Sequence, residues 1–256
     1  MKPKGLKHVL SCLVVLAVVS AAPVKDTIAD DLQKDLRVGR FSRLQTGMDA
    51  PPDWDPLVFK KIEKHTRYER ISDEGVVVIK AVSDAAASGL IRKIEIDPVA
   101  YPIVEWRWKV VNIIEKGDVT KKKGDDYPAR IYITFAYDPS KLSFMDRVKY
   151  KAARLMFGEY PPTGAINYIW GNHTPIDTII PNPYTDRAMM IAVESGAEKT
   201  NRWVTHKRNL LEDYRKAFHT EPPLISGVAI MTDTDNTGES ATAFYGDITF
   251  KQLPGS

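Results

Sequence analysis

Residues Val104-Glu105-Trp106-Arg107-Trp108-Lys109-Val110 alternate apolar and charged side chains without a break. Neighbouring side chains on a strand point to opposite faces, so one face carries Val104, Trp106, Trp108 and Val110 and the other Glu105, Arg107 and Lys109. The apolar face calls for a core and the charged face for water or a ligand. The same period returns over Ala129–Tyr137, where Ala129, Ile131, Ile133 and Phe135 oppose Arg130, Tyr132 and Thr134. Further strands are expected over Arg40–Leu44, Tyr68–Ile71, Val76–Val82, Ser88–Ile96, Ile166–Trp170, Arg187–Val193, Leu224–Thr232 and Ala241–Phe250, with Ser72-Asp73-Glu74-Gly75 turning a hairpin.

The period changes over Ser143–Phe157, where Phe144, Val148, Ala152, Leu155 and Met156 fall on one helical stripe and Ser143 with Asp146 marks the start. Arg147, Lys149, Lys151 and Arg154 occupy the rest of that surface. The stripe predicts a helix covering a sheet edge; a basic amphipathic helix lying on a membrane or a partner helix is the other reading. A short helix is expected over Leu210–Phe218. Nine or ten short strands and two helices predict a mostly β fold, an antiparallel β-sandwich or jelly roll with two short inserted helices.

Composition narrows this picture. Lys2, Lys4 and Lys7 precede a mostly apolar Val9–Val18, and Val19-Ser20-Ala21 resembles a small-residue cleavage site, so residues 1–21 read as a signal peptide. The run is short against the roughly 20 residues that a spanning helix needs. The expectation is therefore a periplasmic or secreted protein cleaved near Ala21 and Ala22, with no transmembrane segment in the mature chain. Residues 22–36 form a polar lead-in, and residues 37–253 a single β-sandwich domain. With those three lysines removed from 36 basic residues, basic and acidic side chains balance at 33 each, which withdraws compositional support for a nucleic-acid partner. The one cysteine, Cys12, lies in the signal, which excludes disulfides and thiolate chemistry from the mature chain.

Three groups of residues carry candidate chemistry. Arg107, Arg130, Tyr132 and Arg187 offer guanidinium groups and a ring to an anionic or glycan ligand, provided the charged strands face one surface. On that reading the strand of Arg107 and the strand of Arg130 are neighbours; the alternative is cross-strand ion pairing of Glu105, Arg107, Lys109 and Arg130. Asp125 and Asp126, beside Arg130, suit an arginine-orienting, metal-ligating or acid–base role, or a plain turn. The run Asp233-Thr234-Asp235-Asn236-Thr237-Gly238-Glu239 reads first as a hairpin turn and second as a structural calcium site built from Asp233, Asp235 and Asp247. The aromatic residues considered for sugar stacking are Trp54, Tyr127, Trp170, Tyr184 and Trp203. No serine elbow, phosphate loop, dinucleotide fingerprint or zinc-type histidine spacing is present, and no organic cofactor is expected.

Trp54-Asp55-Pro56, the run 103–110, Gly124-Asp125-Asp126-Tyr127-Pro128-Ala129-Arg130-Ile131-Tyr132, Asn182-Pro183-Tyr184-Thr185-Asp186-Arg187-Ala188 and Asp233-Thr234-Asp235-Asn236-Thr237-Gly238 occur in this order. Together they resemble the bacterial exported family known as domain of unknown function 3047, over essentially the whole mature chain. The resemblance implies a β-sandwich similar to carbohydrate-binding modules and brings no assigned activity or catalytic residues. The functional expectation is an envelope or periplasmic protein that binds a glycan or other anionic envelope ligand on a charged sheet face. The alternatives are an enzyme on polysaccharide, such as a lyase using Arg107 or Arg130 with Tyr132, and a structural envelope protein.

Overall fold

A computed structural model describes residues 35–157 and 160–253. The expected signal, and the lead-in up to residue 34, lie outside the described residues. The strands are β1 (Asp35–Gly39), β2 (Asp55–Leu57), β3 (Arg67–Asp73), β4 (Val76–Asp84), β5 (Ala87–Ile96), β6 (Ile103–Val110), β7 (Arg130–Phe135), β8 (Gly164–Gly171), β9 (Ile179–Asn182), β10 (Thr185–Ser195), β11 (Val204–Asn209), β12 (Ile225–Asp233) and β13 (Ser240–Lys251). Two α-helices accompany them, α1 (Phe144–Phe157) and α2 (Leu210–Phe218).

The strands form two sheets, a mostly β sandwich. One runs β11-β6-β13-β4-β3 with β1 paired to β13, and the other runs β2-β5-β12-β7-β8-β10-β9. Every pairing is antiparallel except β8 with β10, which is parallel. The β3–β4 hairpin closes through Glu74 and Gly75, both at positive φ of 52° and 78°, the backbone of a tight primed turn.

The alternation in β6 sends its tryptophans into the space between the sheets. Trp106 stacks on Tyr168 of β8 at 5.0 Å, and Trp108 lies 6.2 Å from Trp170 of the same strand. All four rings are buried, with Ile131, Ile133 and Phe135 of β7 beside them in one cluster. The charged face of β6 points outward and is paired within its own sheet. Lys109 reaches Asp73 at 2.6 Å, and Glu105 accepts from Lys251 at 3.1 Å. Arg107 lies over the Trp203 ring at 4.5 Å. Gly246 makes that possible, because a Cβ there would fall 2.5 Å from the Arg107 Cγ.

Four expectations need correction. The strand expected over Arg40–Leu44 is a 3-10 turn, and β1 precedes it from Asp35, inside the expected lead-in. Phe41 is buried there, and Ser42 donates from its N–H and hydroxyl to Asp247 at 2.8 and 2.6 Å, bonds that compete with a ladder. Second, β6 and β7 are not neighbours: β6 pairs with β11 and β13, whereas β7 sits in the other sheet between β12 and β8. Third, the turn at 234–239 joins no hairpin, since β12 and β13 belong to different sheets and this segment crosses between them.

Fourth, Phe144, Val148 and Ala152, the described members of the α1 stripe, do not cover a sheet edge. Phe144 and Val148 are 75% and 49% exposed, as is Met145 at 64%, and Ala152 is also exposed. Asp146 and Tyr150 are the described side chains turned inward. Asp146 pairs with Arg187 at 3.1 Å, and Tyr150 donates its hydroxyl to the Pro162 carbonyl at 2.9 Å. By contrast α2 buries its apolar side, Leu210, Tyr214 and Ala217, with Tyr214 against Phe135 at 4.5 Å. The Asn209 side chain accepts from the Glu212 N–H at 3.1 Å and caps its N-terminus. Among the described residues no helix is long and apolar enough to cross a membrane.

Candidate functional site

The outer face of the seven-stranded sheet carries the side chains of β7 that alternate away from the core, Arg130, Tyr132 and Thr134. The ladder places Ile169, Asn167 and Ala165 of β8 opposite them on one side. On the other side stand Met231, Ala229 and Gly227 of β12. The two ends of this face differ. The connection between β6 and β7 folds over the Arg130 end, with Val119 and Tyr127 packed on Ile169, Met190 and Ala192. The Tyr132 end is left open.

Under the cover lies a sealed charge cluster. Arg130, 3% exposed, pairs with Asp233 of β12 and stands 4.0 Å from Asp125. Its guanidinium is sandwiched by the Tyr127 ring at 4.9 Å and the Tyr132 ring at 5.3 Å. Asp125 accepts from the Asn182 amide at 2.9 and 3.0 Å. Asp126 binds the 234–239 segment, accepting from the Thr237 N–H at 2.7 Å and from the Asn236 N–H and amide at 3.3 and 3.1 Å. Burial raises the Tyr127 hydroxyl's pKa, and the Asp125 charge adds to this. Burial, then the neighbouring Asp126 charge, also holds the Asp235 carboxyl above the usual carboxylate range.

Asp126, Asp233 and Asp235 bring carboxylate oxygens within 4.8 Å of one another. Asp247, expected as the third member with Asp233 and Asp235, is bound to Ser42 instead, and Asp126 takes that place. Oxygen-rich as it is, this group is already occupied by protein donors. Asp126 caps a turn, Asp233 holds Arg130, and Asp235 accepts from the Asn236 amide at 3.4 Å. A divalent cation would have to compete with the Arg130 guanidinium for Asp233. The cluster therefore reads as the clamp that fastens two loops to the end of β7.

The open end is a groove of about 750 Å³ crossing β5, β12, β7, β8 and β10. Its floor is of small residues, Ala165, Ala229, Gly164 and Ala188. Its walls are aromatic: Tyr132 rises from the floor, and Tyr137 and Tyr160 stack face to face at 4.0 Å and 7°. Helix α1 supports that wall, with Tyr150 at 5.1 Å from Tyr137 and Arg154 over Tyr160 at 4.8 Å. Lys93, Arg187 and Asp55 supply charge at the rim. Asn167, fully buried and facing Tyr132 across the ladder on this same face, has neither amide atom hydrogen-bonded.

The sequence-derived residues thus separate into three places. Tyr132 and Arg187 share the groove, Arg187 being paired with Asp146 as well. Arg130, Asp125 and Asp126 share the sealed clamp behind it. Arg107 stands on the outside of the other sheet. The three arginines do not converge on one surface, and the pairing of Arg107 or Arg130 with Tyr132 as a lyase centre is not assembled, since Arg130 is bonded to Asp233 and closed off from the groove. Of the aromatic residues considered for stacking, Trp54, Tyr127 and Trp170 are buried, Trp203 lies under Arg107, and Tyr184 is 55% exposed with its hydroxyl on Asn236 at 2.8 Å. Tyr137, Tyr160 and Lys93 were missed. Tyr160 lies in a Pro-rich connection with no period to read, although Tyr160-Pro161-Pro162 is itself a sign of an ordered bend.

The family model described as "Protein of unknown function (DUF3047)" matches residues 52–249, a span that includes the clamp and the groove. No curated protein matches the chain. Among solved structures the chain is similar to the carbohydrate recognition domain of Emp47p, at 13% identity and a TM-score of 0.42, covering 86% of this chain and 97% of that one.

Proposed function

The chain belongs to that family of unknown function, and we propose that it is a glycan-binding protein whose site is the tyrosine-walled groove on the seven-stranded sheet. The observation that carries this is the combination of a small-residue floor with three tyrosines standing at its side. Sugar rings present flat C–H faces that pack on aromatic rings and hydroxyls that bond a polar rim, which is the mixed lining expected of a ligand groove. Lys93 and Arg187 place cationic groups at the rim beside Asp55, with Arg187 shared with Asp146, and a guanidinium so placed suits a uronate or other acidic substituent. The signal-like pattern of residues 1–21 supports an envelope or exported location for such a ligand.

Titration calorimetry of the full chain against a panel of neutral and acidic polysaccharides tests the reading. Tyr132→Ala and Tyr160→Ala each weaken binding by about tenfold or more, equivalent to about 1.4 kcal/mol. Arg107→Ala, on the opposite sheet, leaves it unchanged. Silence across the panel overturns the proposal, as does retained affinity in both groove variants that unfold at wild-type urea concentrations.

A further inference from the structure

We propose that helix α1 is an interfacial anchor that lies on an anionic lipid bilayer. The helix spans Phe144–Phe157, and its outward side carries Phe144, Met145 and Val148. At 100° per residue, Phe144, Val148, Ala152 and Met145 fall within an arc of about 100°. All four are exposed, Phe144 at 75%. Exposed single apolar side chains are ordinary; three large ones in one helical arc are not. The other helix, α2, shows that this sandwich buries an apolar helix face when it has one to bury.

The orientation is fixed from within. Asp146 and Tyr150 hold Arg187, at 3.1 Å for each contact, and Tyr150 also reaches Pro162. With Asp146 and Tyr150 tied to the groove wall, the apolar arc cannot roll inward without breaking these bonds. What flanks the arc indicates what covers it. Arg147, Lys151 and Arg154 stand along one border and Lys149 along the other, all exposed. Lys149 is 74% exposed and stands 3.6 Å from Asp146, the one acidic residue of the helix, which also binds Arg187 at 3.1 Å. Four cations on fourteen residues contrast with the exact balance of charge over residues 22–256.

An apolar strip bordered by cations on long aliphatic stems matches the boundary between acyl chains and anionic headgroups, where lysine and arginine extend to the phosphates. A protein partner would need an acidic rim around an apolar groove to match this strip, whereas an anionic bilayer presents both along its whole plane. At about 1.5 Å per residue the helix is about 21 Å long, too short to span a bilayer and suited to lying in its plane.

The test reads the helix itself, because the apolar residues 9–18 of the full chain can also meet lipid. In a Cys12→Ser background, Val148→Cys is labelled with nitrobenzoxadiazole, and Glu198→Cys, on the exposed 196–202 loop, serves as the control. On vesicles of equal phosphatidylglycerol and phosphatidylcholine the label at 148 shifts to the blue and the label at 198 does not. Adding Lys149→Gln and Lys151→Gln lowers partitioning by about thirtyfold, the equivalent of about 1 kcal/mol for each lysine at an anionic surface. An unshifted label at 148, or an equal shift on phosphatidylcholine alone, overturns the proposal. So does a shift without lipid accompanied by a doubled sedimentation mass, which would assign the face to a second copy of the chain. None of these outcomes depends on whether the groove binds a glycan.

Discussion

The two members of the buried pair Arg130–Asp233 should not be equally costly to remove, and the structure says which costs more. Arg130→Met keeps most of the volume but takes away the cation closest to Asp125 and Asp233, which are 6% and 1% exposed. Asp233 is then left with the Tyr127 N–H at 3.4 Å as its remaining donor. An uncompensated buried charge costs about 3–5 kcal/mol. Asp233→Asn leaves Arg130 with Asp125 at 4.0 Å and with two tyrosine faces at 4.9 and 5.3 Å. It also lowers the repulsion among four carboxylates. Cation–π contacts contribute about 2 kcal/mol or more when shielded from water, so the expected loss falls to about 1–2 kcal/mol. The double variant loses less than the sum, since the residues form one network. Urea unfolding at pH 7, followed by fluorescence of the buried Trp106, Trp108 and Trp170, measures all three. A loss under about 1 kcal/mol for Arg130→Met, or a larger loss for Asp233→Asn than for Arg130→Met, refutes this account of the clamp.

Two further expectations concern pH. The Asp235 carboxyl sits above the usual range because burial and Asp126 disfavour its charge, so its ionisation opposes folding. Stability from this group falls as pH rises from the usual carboxylate range through the raised value. Asp235→Asn therefore unfolds at higher urea than wild type at pH 7, and the advantage closes in acid; an unchanged midpoint at pH 7 refutes this. His206 lies 5.4 Å from both Trp106 and Trp108, and burial lowers its pKa to about 4 from 6.5. Its neutral form stabilises the fold fully above pH 6.5, and that contribution is lost as pH falls to about 4. The shift corresponds to about 3 kcal/mol, so His206→Gln flattens the acid limb of stability against pH by about that amount. Parallel curves for the two proteins overturn the assignment.

Period-two alternation made the faces of β6 and β7 legible residue by residue, down to the tryptophans of the core. It carries no information about which strand lies next to which. Arg107 and Arg130 alternate correctly on their own strands, yet they stand on opposite sides of the molecule, because residues 111–129 carry the chain from one sheet to the other. A nineteen-residue connection is far longer than the two to five residues of a hairpin, and that length was the available signal. The 234–239 segment gave no such signal. It has the length and the Asn-Thr-Gly chemistry of a hairpin turn, and only the bonds from Asn236 and Thr237 to Asp126, more than a hundred residues away, turn it into a crossing.

Helix α1 shows the same limit from another side. Its stripe was legible, and so was its basic border, but the direction in which the stripe faces was not. That direction is decided by Asp146 and Tyr150, two positions that an apolar pattern skips, through contacts to Arg187 and Pro162. Arg187 in turn lines the groove. One residue therefore joins the wall of the proposed glycan site to the tether of the proposed lipid-facing helix. Burying an apolar face is the usual reason for a helix to settle on a sheet. Here Asp146 and Tyr150 fasten the helix, and Phe144, Met145, Val148 and Ala152 are left to the surroundings.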